Sequence, residues 1–365
     1  MKRDYVGDHA PRSNHGKLSH RLSGRSLDGP RAFPYAYDVN HRAFGTSDFQ
    51  ISEMGLGCWQ LGGADWGALD DARAFAILNA AADAGVNFFD TADVYGAGRS
   101  ESLIGQFLKR RPGPFFVATK LGRMPDLFPD QYTEAGVRAA TEASLKRLGV
   151  EALDLTQLHC VPPAVLQHGE IFDWLRRLQR EGKIKHFGAS VESMDEARVC
   201  LAQAGLCSLQ IIFNIFRQKP RREIFAEARQ KSVGIIVRLP LASGLLAGRM
   251  TRGQQFSPQD HRTYNRDGQA FNVGETFAGL PFEKGVELAE ALQPFVPAGR
   301  TMAEMAQRWI LDHAAVSTVI TGASQPQQAA ANARVSAVAP LPSELHARLA
   351  EFYERHVAAH IRGPC

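Results

Sequence analysis

The chain has 365 residues, 44% of them hydrophobic and 22% charged, enough to bury one large core where an α/β barrel uses roughly 250 residues. Its formal charge of +4 is unevenly placed: the first 42 residues hold eight Lys/Arg against four Asp, and the remainder carries 34 of each sign, which argues against a nucleic-acid-binding body. No apolar run approaches the roughly 18–20 residues of a membrane span and no apolar N-terminal stretch suits a secretory leader, so a cytoplasmic protein is expected.

In chain order, residues 1–42 are rich in His, Arg, Ser, Gly and Pro without helical or strand period, the composition of a disordered extension. Residues 43–361 are expected to form one domain. From Gly45 onward, short apolar runs alternate with helical patterns, the layout of a parallel sheet covered by helices. Eight strands are predicted: Met54–Gly57, Val86–Phe89, Phe115–Thr119, Leu153–Leu158, His186–Ala189, Ser208–Phe213, Gly234–Arg238 and Ser317–Ile320. The segment Asp70–Ala84 reads as a helix, with acids at its start, an alanine-rich middle and Gly85 at its end. Eight such units closing on themselves predict an α/β fold, a (β/α)8 TIM barrel.

Two departures from even spacing stand out. The segment Ala242–Pro281 after strand seven is long for a structureless connection and reads as a functional loop. An extra C-terminal helix is predicted over Pro342–His356. The five cysteines form no C-x-x-C pair and read as reduced thiols. No metal site is expected, because the His356/His360 pair lacks the acid that a zinc-protease helix carries.

In a TIM barrel, polar residues at the carboxyl ends of strands face the site. Strand two ends in Asp90, followed within five residues by Tyr95; strand three ends in Lys120 and strand four in His159. A phenol is a poor acid at neutral pH, but an adjacent ammonium stabilises the phenolate and lowers its pKa, so Tyr95 beside Lys120 is expected to act as general acid. Asp90 would orient Lys120, and His159 would hold a substrate carbonyl oxygen.

The run Phe89-Asp90-Thr91-Ala92-Asp93-Val94-Tyr95-Gly96, continuing through Gly98-Arg99-Ser100-Glu101 to Ile104-Gly105, closely resembles the aldo-keto reductase signature. The likeness extends from about Arg42 to Val338, and includes Met54 to Trp59, Ala118-Thr119-Lys120 and Leu153-Asp154-Leu155. It implies a catalytic tetrad of Asp90, Tyr95, Lys120 and His159, the set already reached from chemistry.

The same resemblance implies an NADP(H) or NAD(H) site. Gly57, Trp59 and Asp90 belong to its inner end, with Ser190 and Gln210 at the nicotinamide carboxamide; Val191 stands where the family often has Asn. Leu239, Leu241, Ser243, Gly244, Leu246 and Arg249 are implied along the pyrophosphate, while Arg238 replaces a stacking aromatic. Gly322, Ala323, Ser324, Gln328 and Asn332 are implied around the adenosine, at a helix start suited to an anion.

Trp59, Trp66, Tyr95 and His159 are expected to receive a small carbonyl or alcohol substrate. The reading is hydride transfer between nicotinamide and an aldehyde, ketone or sugar-type molecule, in a direction the sequence leaves open. The alternatives are a nicotinamide-binding sensor or regulatory subunit with slow turnover, and a barrel isomerase or lyase without redox chemistry. No nucleic-acid or membrane partner is expected; cofactor preference and oligomeric state stay open.

Overall fold

The computed structural model describes residues 39–63 and 65–364, so the extension expected over 1–42 lies outside the described residues as far as residue 38. Its last four residues do not continue it. Val39 is buried, the Asn40 N–H donates to Ser336 Oγ at 2.8 Å, and His41–Ala43 pairs antiparallel with Gln50–Ser52. Arg42 shows why the body begins this early: its guanidinium donates to Glu53 Oε2 and to the carbonyls of Val316 and Leu311, each at 2.7 Å. Strands of three residues carry too little alternation to be seen in the sequence.

Eight parallel strands close the barrel: β1 (Met54–Gly57), β2 (Phe88–Asp90), β3 (Phe116–Leu121), β4 (Leu153–His159), β5 (Ile184–Ser190), β6 (Leu206–Ile212), β7 (Gly234–Arg238) and β8 (Val316–Gly322). They pair in sequence order, and β8 returns to β1. β1 and β7 have the predicted bounds; the other six differ by one or two residues at an end. Both faces of each strand are covered, so β6 and β7 are buried at every position, and apolar runs rather than alternation mark them.

The hairpin closes the amino end of the barrel. Phe44 and Ile51 pack with Phe88, Phe116, Cys207 and Ile236. The turn between the hairpin strands needs glycine at its start: Gly45 has φ +54°, and a Cβ there would lie 2.1 Å from the Cys207 carbonyl oxygen.

The first barrel helix runs Asp71–Asp83, its N-cap Asp70 accepting from the Arg73 N–H at 2.7 Å, with Gly85 at φ +90° beyond its end. The long segment after β7 is not structureless: it holds a 3₁₀ stretch at Ala242–Ala247, a single turn at His261–Tyr264 and further 3₁₀ turns before the helix Phe282–Ala291. The final helix, expected over Pro342–His356, runs Ser343–Phe352 and widens into a π-type turn at Tyr353–Val357. Cys58, Cys160, Cys200 and Cys207 are unpaired thiols. Among the described residues no helix is long and apolar enough to cross a membrane.

Candidate active site

The signature run folds into a braced loop at the end of β2. Gly96 (φ +60°) passes so close to the first barrel loop that a Cβ would lie 2.3 Å from the Gly62 carbonyl oxygen. Ser100 takes a hydroxyl hydrogen bond from Thr91 at 2.8 Å and donates to the Cys58 carbonyl at 2.9 Å. Glu101, fully buried, accepts from Thr119 Oγ1 and from Arg147 Nε, each at 2.5 Å. These ties fix the loop that carries Tyr95 to β1, β3 and the next helix.

Four strand ends then converge. Lys120 Nζ, with no exposed surface, donates to Asp90 Oδ1 at 2.5 Å, the Thr91 carbonyl at 2.7 Å and Tyr95 Oη at 3.2 Å. The Tyr95 ring is stacked near Trp59, centroids 5.9 Å apart, and is perpendicular to His159 at 5.8 Å. Asp90 Oδ2 accepts from Gln210 Nε2 at 2.6 Å and Gln157 Nε2 at 3.1 Å, so this carboxylate is saturated.

The electrostatics correct one expectation. Lys120 alone was expected to lower the Tyr95 pKa. Burial instead pushes that phenol above its ordinary value, outweighing the ammonium, and Asp90 adds to the rise. Burial also opposes charge on Lys120, but Asp90 and Tyr95 hold its pKa above that of an ordinary lysine. Burial and the nearby Arg123 and Lys120 hold His159 well below the ordinary histidine range, so its ring is neutral, and Nδ1 has no hydrogen-bond partner. The result is a protonated phenol, a locked ammonium and a neutral imidazole at one point.

A cavity of about 1220 Å³ opens above them. Gly57, Trp59, Trp66, Asp90, Tyr95, His159 and Gln210 form its inner wall; Lys120 lies behind Tyr95 without reaching it. Trp59 and Trp66 meet edge to face at 5.6 Å. Ser190 is set behind Gln210, donating to its Oε1 at 3.4 Å. Arg238, Leu239, Leu241, Ser243, Gly244 and Arg249 follow along the β7 rim. Leu239, Ala242 and Ser243 take the left-handed backbone conformation there, the kind of strain that collects at ligand sites. Leu246 is fully buried and packs in the hydrophobic core, apart from the cavity that its neighbours line.

At the β8 rim, Gly322, Ser324, Gln328 and Asn332 line the outer end, with Ala323 buried behind them. Ser324 donates from both N–H (2.8 Å) and hydroxyl (3.1 Å) to Gln328 Oε1, and Asn332 Nδ2 donates to the Gly322 carbonyl at 3.4 Å. A cavity of this length, with amides, hydroxyls and a helix N-terminus at one end and the tetrad at the other, fits a dinucleotide plus a small substrate.

Several residues of the site escaped the sequence reading. Gln157, buried behind the cavity against Asp90, escaped although it stands on β4, two residues before His159. Asp65 joins two loops across the mouth, accepting from Trp59 Nε1 at 2.8 Å and Tyr264 Oη at 2.7 Å. Arg123, from the turn after β3, donates to Glu275 at 2.6 Å and Glu192 at 3.1 Å; Arg238 joins the same Glu275 at 3.4 Å. Cys160, Glu192 and Glu275 bring ligand-type atoms within 4.8 Å of one another, but the two guanidiniums already engage the carboxylates. The only local signal for this cluster was the length of the segment containing Glu275.

A closed eight-stranded barrel, with a Tyr-Lys-Asp-His cluster at the carboxyl ends of β2–β4 and a dinucleotide-sized cavity above it, defines a nicotinamide-type oxidoreductase. Comparison with known proteins agrees. Residues 53–354 match the sequence model of the Aldo/keto reductase family, and the chain belongs to that family as an NAD(P)-dependent enzyme. It is similar to the uncharacterized oxidoreductase YqkF of Bacillus subtilis (strain 168), 29% identical over 81% of this chain and 92% of that one. The NADH-specific methylglyoxal reductase of Escherichia coli (strain K12) is 30% identical over 79% and 90%. Among solved structures, the glycerol dehydrogenase AKR11B4 of Gluconobacter oxydans superposes with a TM-score of 0.72 at 29% identity, over 87% of this chain and 96% of that one.

Proposed function

We propose that this chain transfers a hydride reversibly between nicotinamide and an aldehyde, ketone or sugar-type carbonyl, with Tyr95 as the proton donor in reduction. The observation that carries this reading is the contact of Lys120 Nζ with both Asp90 and Tyr95 Oη. NAD(P)H, when bound along the β5–β8 rims, supplies the hydride.

The chain's own groups supply the rest. Neutral His159 positions the carbonyl oxygen through one ring N–H and, carrying no charge, does not compete as an acid. Tyr95 keeps its proton in the resting site because burial holds its pKa up. As negative charge grows on the substrate oxygen, that oxygen becomes a stronger base than phenolate, and the proton passes from Tyr95 Oη. Lys120, held charged by Asp90, stabilises the phenolate left behind. Trp59 and Trp66 give the substrate an apolar wall that keeps water from the transfer.

The relatives point to substrate types: one acts on methylglyoxal, another is a glycerol dehydrogenase. A panel of small aldehydes and polyols with NADH and NADPH tests the reading. Turnover that falls by roughly 10²-fold or more in Tyr95→Phe, with cofactor affinity held, supports it. Tight cofactor binding without turnover on any member would mark a sensor instead.

A further inference from the structure

Within the long segment after β7, residues 267–280 form an arch that is held from two sides. Phe271, Asn272 and Glu275 line the cavity, and the Phe271 ring lies 6.2 Å from Trp59 and 6.1 Å from Tyr264. On the inner side Glu275 accepts from Arg123 at 2.6 Å, and Ser243 Oγ accepts from the Phe277 N–H at 3.1 Å. On the outer side the arch meets residues 361–364, which follow the final helical turns and contribute nothing to the cavity wall.

Arg362 ties the two feet of the arch together. At one foot its Nη1 donates to Asp267 Oδ1 at 2.7 Å. At the other its backbone N–H and its Nε both donate to the Gly279 carbonyl at 3.1 Å, and Nη2 donates to the Leu280 carbonyl at 3.2 Å. Buried Arg217 donates to the Ala278 carbonyl at 3.3 Å and to the Pro364 carbonyl at 3.1 Å. The Asp267 pair is half-exposed and weak by itself; the bonds to backbone carbonyls carry the geometry. Contact is close along the whole arch: a Cβ on Gly279 would lie 2.6 Å from the Arg362 carbonyl oxygen, and one on Gly363 would lie 2.6 Å from Val273 Cγ1 at the crown. The second foot is also strained. Phe277 and Ala278 take the left-handed backbone conformation at φ +53° and +58°, which residues other than glycine keep only where their surroundings over-determine it. The carbonyls that Arg217 and Arg362 capture, of Ala278, Gly279 and Leu280, belong to this strained turn.

We propose that Arg362 is a specificity-determining positioning residue: from behind the arch it fixes where Phe271 and Glu275 stand at the substrate mouth, so a residue outside the cavity selects among carbonyl substrates by the body they carry. This rests on the hydride-transfer reading above. Without Arg362 the arch keeps its inner contacts at Glu275 but gains freedom at both feet, and the Phe271 ring loses its fixed place against Trp59. The hydrogen bonds of Arg362 go to the arch, so the tetrad and the outer end of the cofactor cavity should be unchanged.

The test compares propanal with 3-phenylpropanal, which share a reacting end and differ in body. In the full chain, Arg362→Ala should raise KM for 3-phenylpropanal by about 10-fold, with kcat and the KM for propanal within about 2-fold and cofactor affinity, read by fluorescence, held. Arg362→Lys keeps a donor for one foot but not the fork that reaches both, and should recover part of the selectivity. Gly363→Ala presses on the crown at Val273 rather than on the feet and should change the same KM ratio, which gives a reading even where Arg362→Ala folds poorly. Amide hydrogen exchange over residues 267–280 follows the brace without turnover and should quicken in Arg362→Ala. Faster exchange in that variant, when the wild type reduces neither aldehyde, would support the brace while removing the hydride-transfer reading, so the two failures are told apart. Wild-type KM ratios in both variants, or a lowered Tm with the ratio and the exchange unchanged, would overturn the proposal.

Discussion

The two ends of this barrel are built from the same eight strands and do opposite work. At the amino end, Phe44 and Ile51 from the hairpin meet Phe88, Phe116 and Ile236, and the packing is apolar. At the carboxyl end Asp90, Lys120, His159 and Gln210, at or within two residues of the ends of β2, β3, β4 and β6, hydrogen-bond or pack around one cavity. The contrast shows how a fold separates stability from chemistry: one end fills space, while the other sets desolvated charges in fixed positions. Substitutions at the two ends should therefore fail in different assays.

The largest effect is expected at the apolar end. Phe44 is 1% exposed, and Phe44→Ala should cost about 3 kcal/mol of stability, read as a lowered denaturation midpoint, with kcat of the remaining folded enzyme close to wild type. A large loss of kcat without loss of stability would break the division between the ends.

Next in size is Tyr95, the proposed proton donor. Tyr95→Phe removes only the hydroxyl 3.2 Å from Lys120 Nζ, and kcat should fall by roughly 10²-fold or more, about 2.7 kcal/mol of barrier, with Tm held within error. Wild-type kcat in this variant would remove Tyr95 from the reaction.

Asp93 sharpens the comparison, because it lies at the polar end yet has no partner. It is three residues beyond Asp90, equally buried, and neither of its carboxylate oxygens is hydrogen-bonded. Burial, with Glu101 nearby, pushes its pKa from 3.8 to about 7. A carboxyl whose pKa is raised by folding holds its proton more tightly in the folded state, so stability falls as pH rises from about 4 to about 7 and then levels. Asp93→Asn should gain about 1–2 kcal/mol at pH near 8 and little at pH near 4. Thermal melts across that range check it; a gain independent of pH would show that charge is not the cause.

The smallest effect concerns the outer end of the cavity, where recognition is neutral. Between Ser324 and Asn332 there is no Lys or Arg, and Gln328 is spent on the Ser324 loop. The two nicotinamide cofactors should differ by less than about 100-fold in kcat/KM, and Gln328→Arg should shift the ratio toward NADPH by roughly 10-fold. A wild-type preference for NADPH of about 1000-fold would mean that another cation, with Arg300 and Arg249 on the same wall, reaches the 2′-phosphate.

What the sequence determined by itself is the part written in local pattern. Apolar runs at regular spacing placed β1 and β7 at their observed bounds and the other six strands to within one or two residues per end, because buried parallel strands cannot tolerate polar interruption. The convergence of four of the site's side chains was legible for the same reason: Asp90, Lys120 and His159 lie at or next to the ends of consecutive strands, with Tyr95 just beyond the first, and barrel closure alone brings strand ends together.

Three features were settled only by the tertiary structure. The hairpin at Arg42 depends on carbonyls at Leu311 and Val316, far away in sequence. Arg123 and Glu275 are 152 residues apart and meet only because the long segment after β7 folds back over the mouth. The direction of the Tyr95 shift reversed because a pKa sums burial against every nearby charge, and neither the depth of burial nor the saturation of Asp90 by Gln157 and Gln210 is written in any run of neighbouring residues.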